Sequence, residues 1–333
     1  MNDYGFNYVV FGYANDFYRI PYSEVDRLQN AVYLYKPIDS NNKLLTFLYK
    51  AHFSAALNRH KDMPFKSIWN KMMFRRRFAT ERPICFVFFI RRCYLLKYGL
   101  MEYLKGKYPD AKFVCHYQDL VAHCTDVSVD YIKEKFDLVL SFDQQDAKQY
   151  SLEYYPLVYS DYEVHADKDI PESDVFFVGK AKDRLDDIIS AYERLSEAGL
   201  RCDFHITGVK EEDRRLTDRI DYCDKMPYLE NLKRIKASRC LLEVMQKGGH
   251  GYTLRACEAI MYDRKMLTNN PEIKQAPFFN PNNISVFDSA EDIDPSFVLS
   301  GTKDVDYNYK QQLSPARMLE YCGMRLSEEG GKQ

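Results

Sequence analysis

Two short segments carry the residue types that bind phosphate. The first is a turn in which Gly179 precedes Lys180, Lys182 and Arg184, between an apolar run and a helical pattern. Glycine lets the backbone approach a ligand closely, and the free N–H groups at a helix N-terminus attract anions. A diphosphate fits this turn, although Asp183 offsets part of the charge. An ordinary strand-to-helix turn with solvated charges is the alternative interpretation.

The second segment, 246–258, reads QKGGHGYTLRACE and contains three glycines before a helical pattern. Thr253 can donate a hydrogen bond to a phosphate oxygen, and Arg255 can bind one with two parallel hydrogen bonds. Glu258 follows Arg255 by three residues and shares its helix face, where a carboxylate can accept both hydroxyls of a ribose. The alternative is structural: Thr253 caps the helix and Glu258 pairs with Arg255.

The region around these residues resembles a known enzyme family. The run 228–273 (YLENLKRIKASRCLLEVMQKGGHGYTLRACEAIMYDRKMLTNNPEI) resembles the donor-binding half of bacterial GT-B glycosyltransferases. The run 136–160 (FDLVLSFDQQDAKQYSLEYYPLVYS) is similar to the strand and linker of polysaccharide and lipopolysaccharide biosynthesis proteins of that group. The similarity covers about residues 110–270. One departure concerns His250, which stands where many retaining members have the first glutamate of an E-x7-E pattern.

The resemblance implies how a donor would be bound. In the family, a glycine loop with a Thr–Arg pair holds the nucleotide diphosphate and a helix glutamate binds the ribose, while the loop 226–228 would flank the base and Gly179 would lie against the phosphates. The resemblance implies a UDP-sugar first and a GDP-sugar second, without a metal or another cofactor. The residues predicted for donor binding are Gly179, Lys180, Arg184, Tyr228, Gly251, Tyr252, Thr253, Arg255 and Glu258.

The resemblance also implies the fold and the activity. The fold is α/β and GT-B-like, with two Rossmann-like domains whose parallel sheets face each other across a cleft. Residues 1–160 would bind the acceptor, 161–311 the nucleotide sugar, and the helix and tail 312–333 would cross back to the first domain. The expected activity is transfer of a sugar from a nucleotide-diphosphate donor to a glycan or lipid-linked acceptor in bacterial surface polysaccharide assembly. The alternatives are a catalytically silent GT-B paralogue that binds nucleotide or scaffolds, a nucleotide-sugar epimerase, or a phosphotransferase.

A general base for the acceptor hydroxyl is expected in the first domain. Parallel sheets bind ligands at the carboxyl ends of their strands, which directs attention to polar residues that end apolar runs. Asp119 is the first choice and His116 the second, both near the end of the predicted strand 112–116. Asp143, after the strand 138–142, is a further candidate. Each aspartate has a structural alternative as a helix cap.

Short apolar runs alternate with amphipathic stretches, which is the pattern of parallel sheets covered by helices. A polar stretch that contains Pro171, at 159–172, predicts the linker between two domains. The predicted strands are 8–12, 84–89, 112–116, 138–142, 174–178, 202–207, 239–245 and 265–268. The predicted helices are 44–57, 93–105, one within 119–135, one from 185 to the glycine at 199, 228–237, 252–262 and 315–327.

Composition excludes several classes of protein. The 333 residues are 46% hydrophobic and 29% charged, with a net charge of −2, which argues against disorder and against duplex nucleic acid as a partner. The apolar run 84–90 is far shorter than the about 20 residues of a membrane-spanning helix. The nine cysteines include no CxxC pair, and neither HExxH nor a metal-spaced His/Cys cluster occurs, so we predict reduced thiols and no metal.

These features predict a cytoplasmic protein, since the first ten residues also lack the basic region of a signal peptide. The basic, aromatic segment 65–78 predicts either an amphipathic helix in peripheral contact with the inner membrane face or a plain surface helix. Two DxD triplets, 292–294 and 304–306, lie in polar stretches and are predicted to be loop or cap residues.

Overall fold

The computed structural model describes residues 5–165, 167–246 and 250–330. Two glycines of the predicted glycine loop, Gly248 and Gly249, lie outside these ranges. The chain forms two compact units: the first holds the residues up to Val158 together with those from Ser314 onward, and the second is Tyr159–Leu313. The connecting stretch has no strand in its described residues before Ser173.

A parallel six-stranded sheet forms the centre of the first unit, in the order β2-β1-β3-β4-β5-β6. Its strands are β1 Asn7–Phe11, β2 Ala31–Leu34, β3 Ile84–Phe89, β4 Lys112–Tyr117, β5 Leu138–Ser141 and β6 Glu153–Tyr154. Its α-helices are α1 Asp16–Arg19, α2 Lys43–His52, α3 Asn70–Met73, α4 Leu100–Lys107, α5 Val129–Lys135 and α6 Gln144–Tyr150. Its 3-10 helices are Ile20–Arg27, Lys66–Trp69, Ile90–Tyr98 and Val121–His123.

Both faces of this sheet are buried. Successive side chains of a strand point to opposite sides, so each strand contributes to two apolar clusters. In β1, Val9 and Phe11 join one apolar cluster, whereas Tyr8 and Val10 join the other. The second cluster also contains Met318, Leu319, Cys322 and Leu326 of the last helix. That helix therefore belongs to the core of the first unit although it follows the second unit in sequence.

The second unit contains another parallel six-stranded sheet, in the order β12-β11-β10-β7-β8-β9. Its strands are β7 Ser173–Lys180, β8 Cys202–Thr207, β9 Asp221–Tyr222, β10 Ser238–Glu243, β11 Lys265–Thr268 and β12 Ile284–Val286. The α-helices that follow in the chain are α7 Leu185–Glu197, α8 Tyr228–Ala237, α9 Leu254–Met261, α10 Pro295–Leu299 and α11 Pro315–Gly330, the last of which belongs to the first unit. The 3-10 helices are Glu211–Asp213, Pro271–Gln275, Ala290–Asp292 and Lys310–Leu313.

The second sheet has the Rossmann strand order: β8 and β9 extend the sheet on one side of β7, and β10, β11 and β12 extend it on the other. The order in which strands are added therefore reverses between β7 and β10. Sheets of this kind bind ligands outside the carboxyl ends of the two strands at that reversal. Those ends are Lys180 of β7 and Glu243 of β10. The predicted α/β class with two Rossmann-like parallel sheets is confirmed.

Several predicted elements differ from the structure. The predicted helix 44–57 ends at His52, whereas the helix predicted within 119–135 is confirmed as α5, Val129–Lys135, which follows the 3-10 turn Val121–His123. The segment 65–78, predicted as a membrane-contacting or plain surface helix, is helical only over 66–73, as a 3-10 turn followed by the four residues of α3, and Phe74 is extended. The reason is packing, because Trp69, Met73 and Phe74 enter the core within a few residues of one another. Among the described residues, no helix is long and apolar enough to cross a membrane.

Candidate functional site

The two phosphate-binding segments predicted from sequence meet at the carboxyl ends of β7 and β10. Arg255, in the first turn of α9, donates from Nη2 to the Val178 carbonyl at 3.1 Å. Arg184, just before α7, donates from Nη1 to the Val244 carbonyl after β10. Each arginine thus reaches from its own segment to the other, and together they join the two sides of the strand-order reversal.

Glu258 contacts Arg255 and is 2% exposed. Its Oε1 accepts hydrogen bonds from the Tyr228 hydroxyl at 2.8 Å and from Asn231 Nδ2 at 3.0 Å. Its Oε2 lies 2.8 Å from Arg255 Nη1. The Tyr228 hydroxyl is also 2.9 Å from that of Tyr159. Both oxygens of Glu258 are therefore engaged within the protein, which is the structural role that the sequence left open.

Glu243, the last residue of β10, is a second buried carboxylate that the sequence analysis did not identify. It accepts hydrogen bonds from the hydroxyls of Thr253 and, at 2.6 Å, Thr268. Burial raises the pKa of Glu243, and the two hydroxyls with the nearby Arg255 and Arg184 offset only part of that effect. A charged residue inside an apolar strand, directly before a glycine loop, was the available sequence signal.

Thr253 combines two roles at the N-terminus of α9. Its hydroxyl accepts a hydrogen bond from the Arg255 backbone N–H at 3.0 Å, which makes it the helix cap, and donates to Glu243. In the described part of the preceding loop, His250 and Gly251 also have partners within the protein. Glu272 accepts a hydrogen bond from the Gly251 N–H at 2.7 Å and contacts His250 Nδ1 at 2.9 Å. The hydrogen bond from the Gly251 N–H, followed by the contact with His250, lowers the pKa of Glu272.

The basic turn after β7 exposes two lysines, Lys180 and Lys182, and Lys182 donates from Nζ to Gln246 Oε1 at 2.6 Å. Lys180 is exposed at the end of the strand. Arg184 bends back onto the turn and donates from Nε and Nη2 to the Lys180 carbonyl at 3.3 and 3.1 Å. A Cβ on Gly179 would lie 3.2 Å from Arg184 Nη2 and 3.2 Å from the Phe177 ring, so this position accommodates little more than a glycine. Burial lowers the pKa of Arg184.

Tyr252, also predicted for donor binding, lies edge-on to Phe278 with ring centroids 5.0 Å apart. Tyr228 begins α8, so the predicted base-flanking loop 226–228 leads directly into the helix that holds Glu258. All nine residues predicted for donor binding lie in the second unit, on β7, at the start of α7, at the start of α8, or in and before α9.

Asp119 lies in the first unit, two residues after β4, in a cluster of charges. Arg91 Nη2 is 3.0 Å from its Oδ2, and His123 Nδ1 is 3.1 Å from its Oδ1. Partial burial raises the pKa of Asp119, but the hydrogen bonds from His123 and Arg91 outweigh it and the pKa is lowered overall. The His123 side chain is 59% exposed. The structure therefore joins Asp119 to a histidine that carried no signal in the sequence.

His116, the second predicted base, is 1% exposed within the sheet. Its Nδ1 lies 3.2 Å from the Tyr22 hydroxyl, and its Nε2 is buried without a hydrogen-bond partner. Burial lowers the pKa of His116 to about 3, so the ring is neutral near pH 7. Asp143 is the N-cap of α6 and accepts a hydrogen bond from the Asp146 N–H at 2.8 Å. The structural alternative therefore describes Asp143.

The two DxD triplets are loop and cap residues, as predicted. Asp292 forms a capping box with Ser289, and Asp294 caps α10. Asp304 pairs with Arg264.

Comparison with known proteins gives likenesses in structure alone. No family model matches the sequence, and no curated protein matches it. The sucrose-phosphate synthase of Thermosynechococcus elongatus is similar at 12% identity and a TM-score of 0.44, over 75% of this chain and 74% of that one. An alpha-glucosyltransferase in complex with UDP-glucose and abasic DNA gives 9% identity and 0.44, over 78% of each chain. A glycotransferase of kitacinnamycin gives 10% identity and 0.40, over 98% of each chain. Likenesses at this level do not assign the chain to a family or an activity.

Proposed function

We propose that this chain is a glycosyltransferase that binds a nucleotide-diphosphate sugar at the carboxyl end of the second sheet. One observation carries the proposal: two segments identified separately by their phosphate-binding residues converge at the strand-order reversal, where Arg184 and Arg255 each reach the opposite segment. This reversal is the ligand-binding place of Rossmann-order sheets. The donor is a UDP-sugar, with a GDP-sugar as the second choice.

The diphosphate would lie against Lys180 and Arg184, with the N-terminus of α9 as a further source of positive potential. Its charge grows when the bond to the sugar breaks, and fixed cations and N–H groups stabilise that charge without a metal ion. Tyr228 and Tyr252 would lie beside the base. Glu258 would accept the ribose hydroxyls, which requires the Tyr228 hydroxyl to release the Oε1 oxygen that it now occupies.

The acceptor would bind to the first unit, where Asp119 and His123 form the base. The Asp119 carboxylate holds His123 Nδ1, so the other ring nitrogen of this exposed imidazole is free to take the proton of an acceptor hydroxyl. The hydroxyl oxygen then forms the new bond to the anomeric carbon while the bond to the diphosphate breaks. The proposal does not extend to His116, because its ring is enclosed in the core.

The role in bacterial surface polysaccharide assembly, with a lipid-linked acceptor and contact with the cytoplasmic membrane face, is part of the same proposal. On α2, Leu44 and Phe47 are 64% and 65% exposed, and the lysines at 43 and 50 flank them. Apolar side chains beside lysines suit an anionic lipid surface. Co-sedimentation with anionic vesicles that is lost in a Leu44→Ser/Phe47→Ser variant would support this part; equal sedimentation of both proteins would contradict it.

A second candidate function is a silent paralogue that binds nucleotide or scaffolds without catalysis. The observation that favours it is the internal satisfaction of the site: Glu258 is held by Arg255, Thr253 by Glu243, and the Gly251 N–H by Glu272. A site that must break these contacts binds a donor less tightly, because the contacts compete with it.

Thermal unfolding with UDP, GDP, CDP, ADP and their sugars tests the donor site. A nucleotide that binds the folded protein raises the melting temperature by mass action. We expect a rise with UDP or GDP that is reduced in Lys180→Ala, whose side chain is exposed and contributes little to folding. The control is Arg201→Ala, which removes an exposed cation that pairs with Asp174 at the opposite end of β7.

The result then separates the two candidates. Donor hydrolysis or transfer that is lost in His123→Gln, with nucleotide binding retained, identifies the transferase. Binding without hydrolysis or transfer identifies the silent paralogue. No response to any nucleotide, or an equal loss in Lys180→Ala and Arg201→Ala, contradicts a donor site at this edge.

A further inference from the structure

A histidine lies between two carboxylates at the far edge of the second sheet. His205 of β8 pairs in register with Asp221 of β9, and its Nδ1 lies 2.6 Å from Asp221 Oδ2. Asp203 is two residues before His205 and therefore shares its face of the strand. Asp203 Oδ1 lies 2.7 Å from His205 Nε2. Both ring nitrogens thus face a carboxylate oxygen, and the His205 side chain is only 6% exposed.

A neutral imidazole has one N–H, so it can donate to only one of these carboxylates. The position of Asp203 favours donation from Nε2, because Arg234 Nη1 contacts both oxygens of Asp203 at 3.0 Å and holds it in place. Arg234 is itself held by Glu230 at 3.0 Å. The lone pair of Nδ1 then points at a carboxylate oxygen, and this repulsive contact requires a cation at that nitrogen.

The cation is either a proton or a metal ion, and a third donor distinguishes them. Cys223 follows Asp221 by two residues, and the ligand atoms of His205, Asp221 and Cys223 lie within 4.8 Å of one another. A thiol adds nothing to a protonated histidine, whereas nitrogen, oxygen and sulfur together form a ligand set typical of Zn²⁺. The carboxylates at 203, 221 and 230 outnumber Arg234, so a divalent cation also offsets local negative charge.

We propose that His205 Nδ1, Asp221 and Cys223 bind one divalent transition-metal ion of the zinc type, with water as the fourth ligand. Asp203 acts as the positioning group that fixes the tautomer of His205, an arrangement common to metal-binding histidines. The Cys223 thiol would lose its proton to solvent as the S–metal bond forms. No spacing in the sequence indicated this site, because the register of β8 with β9 brings residues 205 and 221 together.

The ion would act on the structure of the second unit. Strand β9 has only two residues, and the chain after it leads into α8, whose Tyr228 and Asn231 hold Glu258. A metal bond to Asp221 and Cys223 would fasten this edge strand and fix the approach to α8. The site is separate from the proposed donor site, so it stands whether or not the chain transfers sugar.

Cobalt substitution tests the proposal on the full chain, purified under reducing conditions and stripped of metal. Co²⁺ bound by a thiolate gives a near-ultraviolet charge-transfer band, and Zn²⁺ then displaces it. We expect one Co²⁺ per chain with this band, and a loss of the band in Cys223→Ser. The control is Cys202→Ser, which removes a similarly half-buried thiol from the opposite face of β8.

Affinity provides the second readout. Competition of Zn²⁺ with a chromophoric chelator is expected to show about 10–100-fold weaker binding in Asp203→Asn, since the positioning carboxylate is lost. His205→Gln is expected to abolish binding, with circular dichroism confirming that each variant is folded. An unchanged charge-transfer band in Cys223→Ser overturns the proposal. So does a His205 ring that carries both N–H protons in NMR spectra and does not respond to Zn²⁺, because the cation is then a proton.

Discussion

Replacing Arg255 with methionine tests whether this arginine stabilises the buried carboxylate of Glu258, and hence the folded protein. The two side chains are 13% and 3% exposed, and Arg255 Nη1 lies 2.8 Å from Glu258 Oε2. Removing one partner of a buried ion pair costs about 3–5 kcal/mol, because the remaining charge stays out of water. Glu258 keeps its hydrogen bonds from Tyr228 and Asn231. We therefore expect Arg255→Met to lower the free energy of unfolding by about 3 kcal/mol.

Glu258→Gln supplies the second arm of a double-mutant cycle. Arg255 then loses its carboxylate but still donates to the Val178 carbonyl, so the expected cost is about 2 kcal/mol. The double variant leaves no unpaired charge and should cost about 3 kcal/mol, whereas independent effects would sum to about 5. The predicted coupling energy is therefore about 2 kcal/mol.

Urea unfolding with two probes measures this cycle. Trp69 is the single tryptophan of the chain and lies in the first unit, so its fluorescence reports that unit, whereas far-ultraviolet circular dichroism reports both. We expect the variants to shift the dichroism transition of the second unit. A coupling energy below about 0.5 kcal/mol would refute the buried pair, because groups without contact have additive effects.

Three further predictions concern buried groups. Burial lowers the pKa of His116 to about 3, so the unfolded chain takes up a proton at this ring before the folded one does. The free energy of unfolding of the first unit should therefore fall by about 2 kcal/mol between about pH 6.5 and 5. Urea unfolding followed by Trp69 fluorescence measures this fall, which should be smaller in His116→Gln. Burial raises the pKa of Glu243, so this group favours folding at low pH, and that contribution is lost as the pH rises through the raised pKa. Urea unfolding of the wild type and of Glu243→Gln measures this effect. The free energy of unfolding of the wild type minus that of the variant should fall as the pH rises above about 4.3. Gly12→Ala would place a Cβ 2.1 Å from the Tyr33 ring and should cost at least about 3 kcal/mol, whereas Gly106→Ala, in open space on α4, should stabilise by about 0.5–1 kcal/mol, both measured by urea unfolding.

The fold was predictable where the hydrophobic pattern of a segment and the polar or turn residues that bound it indicate the same element. Strands Ile84–Phe89, Cys202–Thr207 and Lys265–Thr268 and helix Tyr228–Ala237 have the predicted bounds. Ile84–Phe89 is a continuous apolar run, which is how a strand buried on both faces appears in a sequence, whereas Cys202–Thr207 alternates apolar and polar residues. By contrast, the short strand β2, Ala31–Leu34, lies among aromatic residues without a distinct period, and it was not predicted.

The positions of the candidate site residues in the fold were predictable, but their contacts were not. The glycines and charges of the two segments marked the carboxyl ends of β7 and β10. Glu243 falls within the predicted strand 239–245, and its pairing with Thr253 depends on how α9 packs against β10. Likewise, the contact between His123 and Asp119 depends on the local 3-10 turn Val121–His123, which the prediction of one helix within 119–135 did not specify.

Hydrogen exchange in the presence of a nucleotide tests the central claim most directly, since it shows both binding and its place. With the UDP-sugar or GDP-sugar that raises the melting temperature, we predict slower exchange in peptides covering residues 178–184 and 250–258, and unchanged exchange around Asp174 and Arg201 at the opposite end of the second sheet. Slower exchange confined to other parts of the chain, or none with any nucleotide at millimolar concentration, would contradict a donor site between β7 and β10.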